Sequence, residues 1–264
     1  MYKRIAIVGV VLIISLAFWF TVNPWIGSAN TALGDVRSWL WPLAWFLLFV
    51  AVLGLAFMFL EGLRWRLGVL TAANIPFLFA VDTWMLVLPA AVILVVLLQW
   101  YVGTRIADET TARRTVNTRR ILGAGVGSIV TTLLIAISVV YFSTPAVQTS
   151  AQKEQLPPMI TKAVQTAARQ VAALQLTDLP PAQRSQTENE IARIVLGQIN
   201  AWIKPYVKYL PPVLAFGLFL VLSAFGFIFQ PLALLIASGI FSLLKMMNFV
   251  SIAEKEAKAE VLVL

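Results

Sequence analysis

From Trp39 to Leu60 the chain runs 22 residues without a charged side chain. A bilayer's hydrocarbon core is about 30 Å thick, and about 20 apolar helical residues cross it. No water reaches that core, so backbone N–H and C=O groups there must bond to one another, which a helix achieves within a single segment. Blocks of the same texture recur at Ile5–Val22, Trp84–Val102, Ile121–Phe142, Pro211–Phe229 and Pro231–Val250. The pattern predicts an all-α fold: a polytopic transmembrane helix bundle of six or seven spans.

Composition points the same way, with 60% hydrophobic and 12% charged residues, where a soluble domain carries about 25% charged residues. The formal net charge of +8 would in a soluble protein raise the question of nucleic acid, but no nucleic-acid-binding motif is present. Most Lys and Arg instead fall in short segments between apolar blocks, where they hold helix ends against anionic headgroups. The lipid bilayer is therefore the expected partner and nucleic acid is not. Cys and His are both absent. Their absence removes disulfides, thiolate nucleophiles, structural zinc sites, His-ligated haem and any triad or proton relay built on imidazole. No cofactor and no metal ion is expected.

The block at Ile5–Val22 follows Lys3 and Arg4 and reads as a retained anchor. Its rival is a signal peptide cleaved near Gly27 and Ala29, although the apolar stretch exceeds the about 7 to 15 residues of a signal. Leu67–Val81 is ambiguous, because 15 residues reach only about 22 Å. Either it crosses by starting near Arg64 with Arg64 and Arg66 snorkelling, or it is a re-entrant or interfacial segment. Trp39, Trp41 and Trp45 mark a headgroup level, as do Trp100 and Tyr101 at the close of the Trp84–Val102 block.

Residues 143–209 form the one long polar stretch, with seven basic and four acidic residues. Pro157 and Pro158 open a helix whose apolar positions Ile160, Val164, Ala167, Ala168 and Val171 recur at helical spacing. Pro180 and Pro181 turn the chain, and Ile191, Ile194, Val195, Ile199 and Trp202 mark a second stripe that ends at Pro205. The reading is one extramembrane helical hairpin. After it, two apolar blocks separated by Gln230 make either a tight membrane hairpin or a span followed by an in-plane amphipathic helix. The chain thus divides into N-terminal transmembrane helices (1–142), the hairpin (143–209), a C-terminal apolar helix pair (210–250) and a polar tail (251–264).

Short loops rich in Lys and Arg stay cytoplasmic. Lys3 and Arg4 place the N-terminus there, and Arg64 and Arg66 return to it after two crossings. Residues 103–120 carry Arg105, Arg113, Arg114, Arg119 and Arg120 against Asp108 and Glu109, so this loop is cytoplasmic too and Leu67–Val102 crosses twice. On this reading residues 143–209 lie outside, in a multi-pass protein of the plasma membrane. The alternative drops the third crossing, which leaves the polar segment inside and the Arg-rich loop outside. A raw count of basic residues prefers that arrangement, but the bias is carried by short loops and not by long translocated segments.

Polar and ionisable groups at membrane depth are functional candidates, because burying one unpaired is expensive. Asp82, Gln99 and Lys245 qualify; the plainer roles are a helix N-cap for Asp82 and snorkelling for Lys245. Gly123 and Gly127 form a GxxxG pair that Thr131 and Ser138 extend, a face for packing within the bundle or in a homo-oligomer. Without His, Cys or a carboxylate pair in one apolar block, no enzyme is expected. Two functions remain. One is a non-enzymatic membrane scaffold or assembly factor that holds another membrane protein through the hairpin. The other is a transporter or channel with a polar path through Asn74, Asp82, Gln99, Gln230, Ser238, Ser242 and Lys245.

Overall fold

Each apolar block folds as helix, and so does the polar stretch between them. The computed structural model describes residues 1–27, 36–60, 62–80, 87–112, 117–152, 158–175 and 180–250; Asp82, Arg113, Arg114 and the tail 251–264 lie outside the described residues. In chain order the helices are α1 (Tyr2–Gly27), α2 (Val36–Phe59), α3 (Leu63–Ala80), α4 (Val87–Ala112), α5 (Thr118–Gly123) and α6 (Val126–Ser143). There follow α7 (Pro145–Gln152), α8 (Pro158–Gln175), α9 (Pro181–Ile203), a 3-10 turn over Lys204–Tyr209, α10 (Leu210–Ala224) and α11 (Gly226–Met246). Among the described residues there is no strand. Five helices, α1, α2, α4, α6 and α11, contain stretches long and apolar enough to cross a membrane. This is an integral membrane protein built as an all-α bundle.

Side-chain pairings fix the direction of each helix. Val8 faces Gly68, the Ser15 hydroxyl donates to the Ala73 carbonyl at 2.8 Å, and Trp19 packs on Phe77 with ring centroids 5.0 Å apart. Both chains advance together through these pairs, so α3 runs parallel to α1 along the bundle. The ambiguous third segment is therefore a passage and not a re-entrant loop. It is short and begins at Arg64 and Arg66, as a snorkelling start requires. Helix α2 returns antiparallel to α1, with Trp25 against Trp39 at one end and Phe18 against Phe49 further in. Phe18, Trp19 and Val22 of α1 are core residues.

The C-terminal pair departs from both sequence readings. α10 starts beside α7, packs along α6 and brings Leu222 to Leu134 and Ile137. α11 then lies along α2, with Phe229 edge-on to Phe46 and Phe241 stacked on Phe59. Both helices head the same way, so they make one interrupted passage and not a tight hairpin. Lys3 closes the circuit by donating to the Phe249 carbonyl at 2.8 Å, which puts that residue at the N-terminal end of the bundle. The chain thus runs the bundle six times; a seventh span would leave Phe249 at the opposite end.

Two further boundaries move. The Trp84–Val102 block does not stop at Trp100 and Tyr101, since α4 continues to Ala112 and carries Asp108 and Glu109 on its last turns. The Ile121–Phe142 block is broken at Ala124 and Gly125 into α5 and α6. Three glycines at alternate positions weaken helix there, and Ile106 and Val102 of α4 press on Gly125. At its other end α6 is sealed by side chains: Ser143 and Thr144 donate to the Val140 and Tyr141 carbonyls, and Gln148 Nε2 donates to the Phe142 carbonyl. These bonds satisfy acceptors that a helix C-terminus leaves open.

Helices α2 and α6 form the interior, and the other spans leave Ile13, Phe20, Leu97 and Phe227 exposed to the oil. Apolar side chains gain nothing from one another in lipid that they would not gain from acyl chains, so helix contact rests on close packing, small residues and hydrogen bonds. Gly103 admits the Phe57 ring and Gly125 admits Ile106. A methyl group at Gly125 would overlap the Ile106 side chain, whereas one at Gly123 meets nothing within 4 Å. Gly125→Ala is therefore expected to destabilise the bundle by about 1–3 kcal/mol and Gly123→Ala to leave it unchanged, as read from melting in detergent.

Candidate functional site

The deepest polar cluster joins α1, α3 and α4. Asn74, 6% exposed, and Gln99, 1% exposed, meet through Asn74 Nδ2, which donates to Gln99 Oε1 at 2.6 Å. The same amide nitrogen donates to the Leu70 carbonyl at 2.8 Å. On the opposite side of α3, Ser15 Oγ donates to the Ala73 carbonyl, the neighbouring residue's acceptor. α3 is thereby bonded to both flanking helices by side chains that lipid cannot hydrate. Of the sequence candidates, Gln99 stands at the centre of this cluster. Its partner Asn74 belongs to the polar path considered above, but nothing in the sequence pairs two amides 25 residues apart.

The other candidates are placed apart from it. Lys245 is exposed in the last turn of α11, at the N-terminal end with Lys3 and Arg4, where a cation complements the helix dipole. The helix ends just beyond it: Asn248 adopts φ +54°, and the N–H groups of Asn248 and Phe249 donate to the Lys245 and Leu244 carbonyls. That left-handed cap takes Asn248 off the stripe of Ser238, Ser242 and Lys245. Asp82 is outside the described residues.

The face expected from Gly123, Gly127, Thr131 and Ser138 is not one face. The break between α5 and α6 falls between the two glycines. Gly123 and Thr131 are exposed while Ser138 is buried. Gly127 is covered from within the chain, by the Gln230 side chain of α11 about 3.1 Å from where a Cβ would stand. No protein-family model, curated protein or solved structure matches this chain. Function is therefore argued from the site alone.

Several other membrane-depth hydroxyls bond to their own helices, while Ser223 Oγ of α10 is buried without a hydrogen-bond partner. Thr21 donates to the Ala17 carbonyl, Thr131 to Gly127, Thr132 to Ser128, Ser138 to Leu134, Ser238 to Leu234 and Ser242 to Ser238. Such back-bonding occupies the hydroxyl without serving a solute. Among the described residues, no group of three or more acidic side chains gathers as a metal ligand set would.

Space inside the bundle is apolar. The larger cavity, about 220 Å³, lies between α1, α2, α6, α10 and α11 and is lined by apolar and aromatic side chains including Phe18, Phe46, Leu134 and Phe229. A smaller one, about 150 Å³, sits where Pro24 of α1 and Pro76 of α3 come together beside Trp19 and Asn23. Neither cavity touches the Asn74–Gln99 pair. Sequence reading missed both, because apolar side chains around a cavity and apolar side chains facing lipid have the same composition.

The Asn74–Gln99 bond has a measurable worth. A double-mutant cycle of Asn74→Leu and Gln99→Leu in detergent unfolding is expected to give a coupling of about 0.5–2 kcal/mol. A coupling indistinguishable from zero would remove the pair's role as an interhelical tie.

Proposed function

We propose that this protein is a non-enzymatic scaffold or assembly factor of the plasma membrane, with the bundle as anchor and the α8–α9 hairpin as the surface that holds another membrane protein. One observation carries the reading: the hairpin, an otherwise polar element, keeps apolar groups uncovered, while the Asn74–Gln99 pair and several hydroxyls of the crossing helices bond within the protein. α8 and α9 pack on each other through Ala172, Ala192 and Leu196, yet Val171, Ile194 and Trp202 remain exposed, Trp202 at 79%. Exposed apolar groups on an otherwise polar element are what a partner surface requires. The transporter reading is weaker, since neither of the two cavities described is lined by Asn74, Gln99, Gln230 or the serines.

The N-terminus is assigned to the cytoplasm. Lys3, Arg4, Arg64, Arg66, Arg105, Arg119, Arg120 and Lys245 all belong to the end of the bundle where α1 begins and α2 and α4 finish, and short basic segments stay inside. The hairpin follows α6 at the other end and is therefore external.

The absence of native thiols makes both parts testable. With an impermeant maleimide on intact cells, Gln198→Cys is expected to react and Thr111→Cys to react only after permeabilisation; the reverse pattern would invert the topology. For function, deletion of residues 150–204 is expected to release a co-purifying membrane protein while the intact chain gives no ion or solute flux in proteoliposomes. Flux that survives the deletion would favour a transporter instead.

A further inference from the structure

The larger cavity exists because the last passage is broken. At Phe225 the chain leaves α10, which leans on α6, and enters α11, which leans on α2. A wedge opens between α2 and α10. Its floor is Leu134 and Ile137 of α6, and its inner wall is Phe18 and Phe46. Of the side chains around it, Trp39 and Phe225 are exposed, so the opening faces sideways between the first turn of α2 and the α10–α11 break. Trp25 and Trp39, in edge-to-face contact at 4.9 Å, stand at the rim nearest the helix ends. Tryptophan prefers the headgroup level, which sets the depth of that rim.

We propose that this cavity is a binding site for one acyl chain of a phospholipid, drawn laterally from the leaflet on the hairpin side, with the headgroup held outside at the Trp25–Trp39 rim. Three features select that occupant. First, apart from the Trp25 and Trp39 indoles at the rim the lining offers no polar side chain, and apolar cavities stay dry, one of about 150 Å³ being enough to take benzene. Water and polar solutes are thus excluded. Second, the volume of about 220 Å³ suits a flexible alkyl segment, whereas a partner's helix, about 10 Å across with its side chains, is too wide. Third, the opening is on the flank of a membrane-crossing bundle, where alkyl chains are the solvent. The site is independent of the scaffold reading, since it uses no residue of the hairpin.

The test uses the full chain reconstituted in vesicles doped with a phosphatidylcholine that carries a diazirine on its acyl chain. After irradiation, adducts are mapped by mass spectrometry. They are expected to concentrate on residues 134–137 and 222–229, above the level at lipid-facing Ile13 and Leu97. Leu134→Phe and Leu222→Phe fill the cavity from two separate walls. Each is expected to cut those adducts severalfold, to leave the Ile13 and Leu97 adducts unchanged, and to keep or raise the melting temperature in detergent. Two walls are used so that one misfolded variant does not decide the matter, and the adduct map of the unaltered chain stands by itself. Adducts spread evenly over the outer faces, or insensitive to both fillings, would overturn the proposal. So would a lack of lipid adducts at residues 134–137 and 222–229 while Ile13 and Leu97 are labelled, which would leave the cavity to another occupant.

Discussion

In oil, two apolar helices have no reason to prefer each other over the acyl chains around them. Contact must come from fit and from hydrogen bonds that lipid cannot replace. The α1–α3–α4 side of this bundle uses both. Gly68 lets Val8 approach, and Ser15, Asn74 and Gln99 stitch the three helices through α3. α3 is the least apolar of the passages, and it is also the one tied by side-chain bonds on two flanks. Its position depends on its neighbours more than on its own hydropathy.

The same economy governs the interior. α2 and α6 are covered by other helices on most of their surface, and they meet where Gly54 admits Ile129 and Val126. Around them several membrane-depth hydroxyls are absorbed by the preceding turn and the two central amides by each other, while Trp19 Nε1 and Ser223 Oγ stay buried without a hydrogen-bond partner. What the interior leaves uncovered lies at its edges: the exposed apolar side chains of the hairpin beyond α6, and the wedge that the last passage leaves open.

Much of this was legible in the residues. Long uncharged blocks, Arg-rich short segments and the Pro-punctuated hairpin are local signals, and helices formed where they predicted. The start of α8 at Pro158 and of α9 at Pro181 follows from proline's tolerance in a first helical turn. What the residues did not disclose was relational. Hydropathy marks Pro211–Phe229 and Pro231–Val250 as two crossings, yet which way α11 heads is decided by Phe229 meeting Phe46 and Phe241 meeting Phe59. The GxxxG pair had the right spacing and the wrong backbone, because contact at Gly125 interrupts the helix between its two glycines. Gln99 was visible as a polar residue in oil, but its bond to Asn74 depends on two helices aligning in depth.

The clasp between Lys3 and the Phe249 carbonyl spans 246 residues of sequence, with the Lys3 ammonium also 5.1 Å from the Phe249 ring centroid. Translation makes Lys3 well before Phe249. α1 has to wait in the bilayer, its basic end unfastened, until α11 has been threaded. Their joining is therefore a late step, and a nascent chain stalled before α11 would hold α1 through α2, α3 and α6.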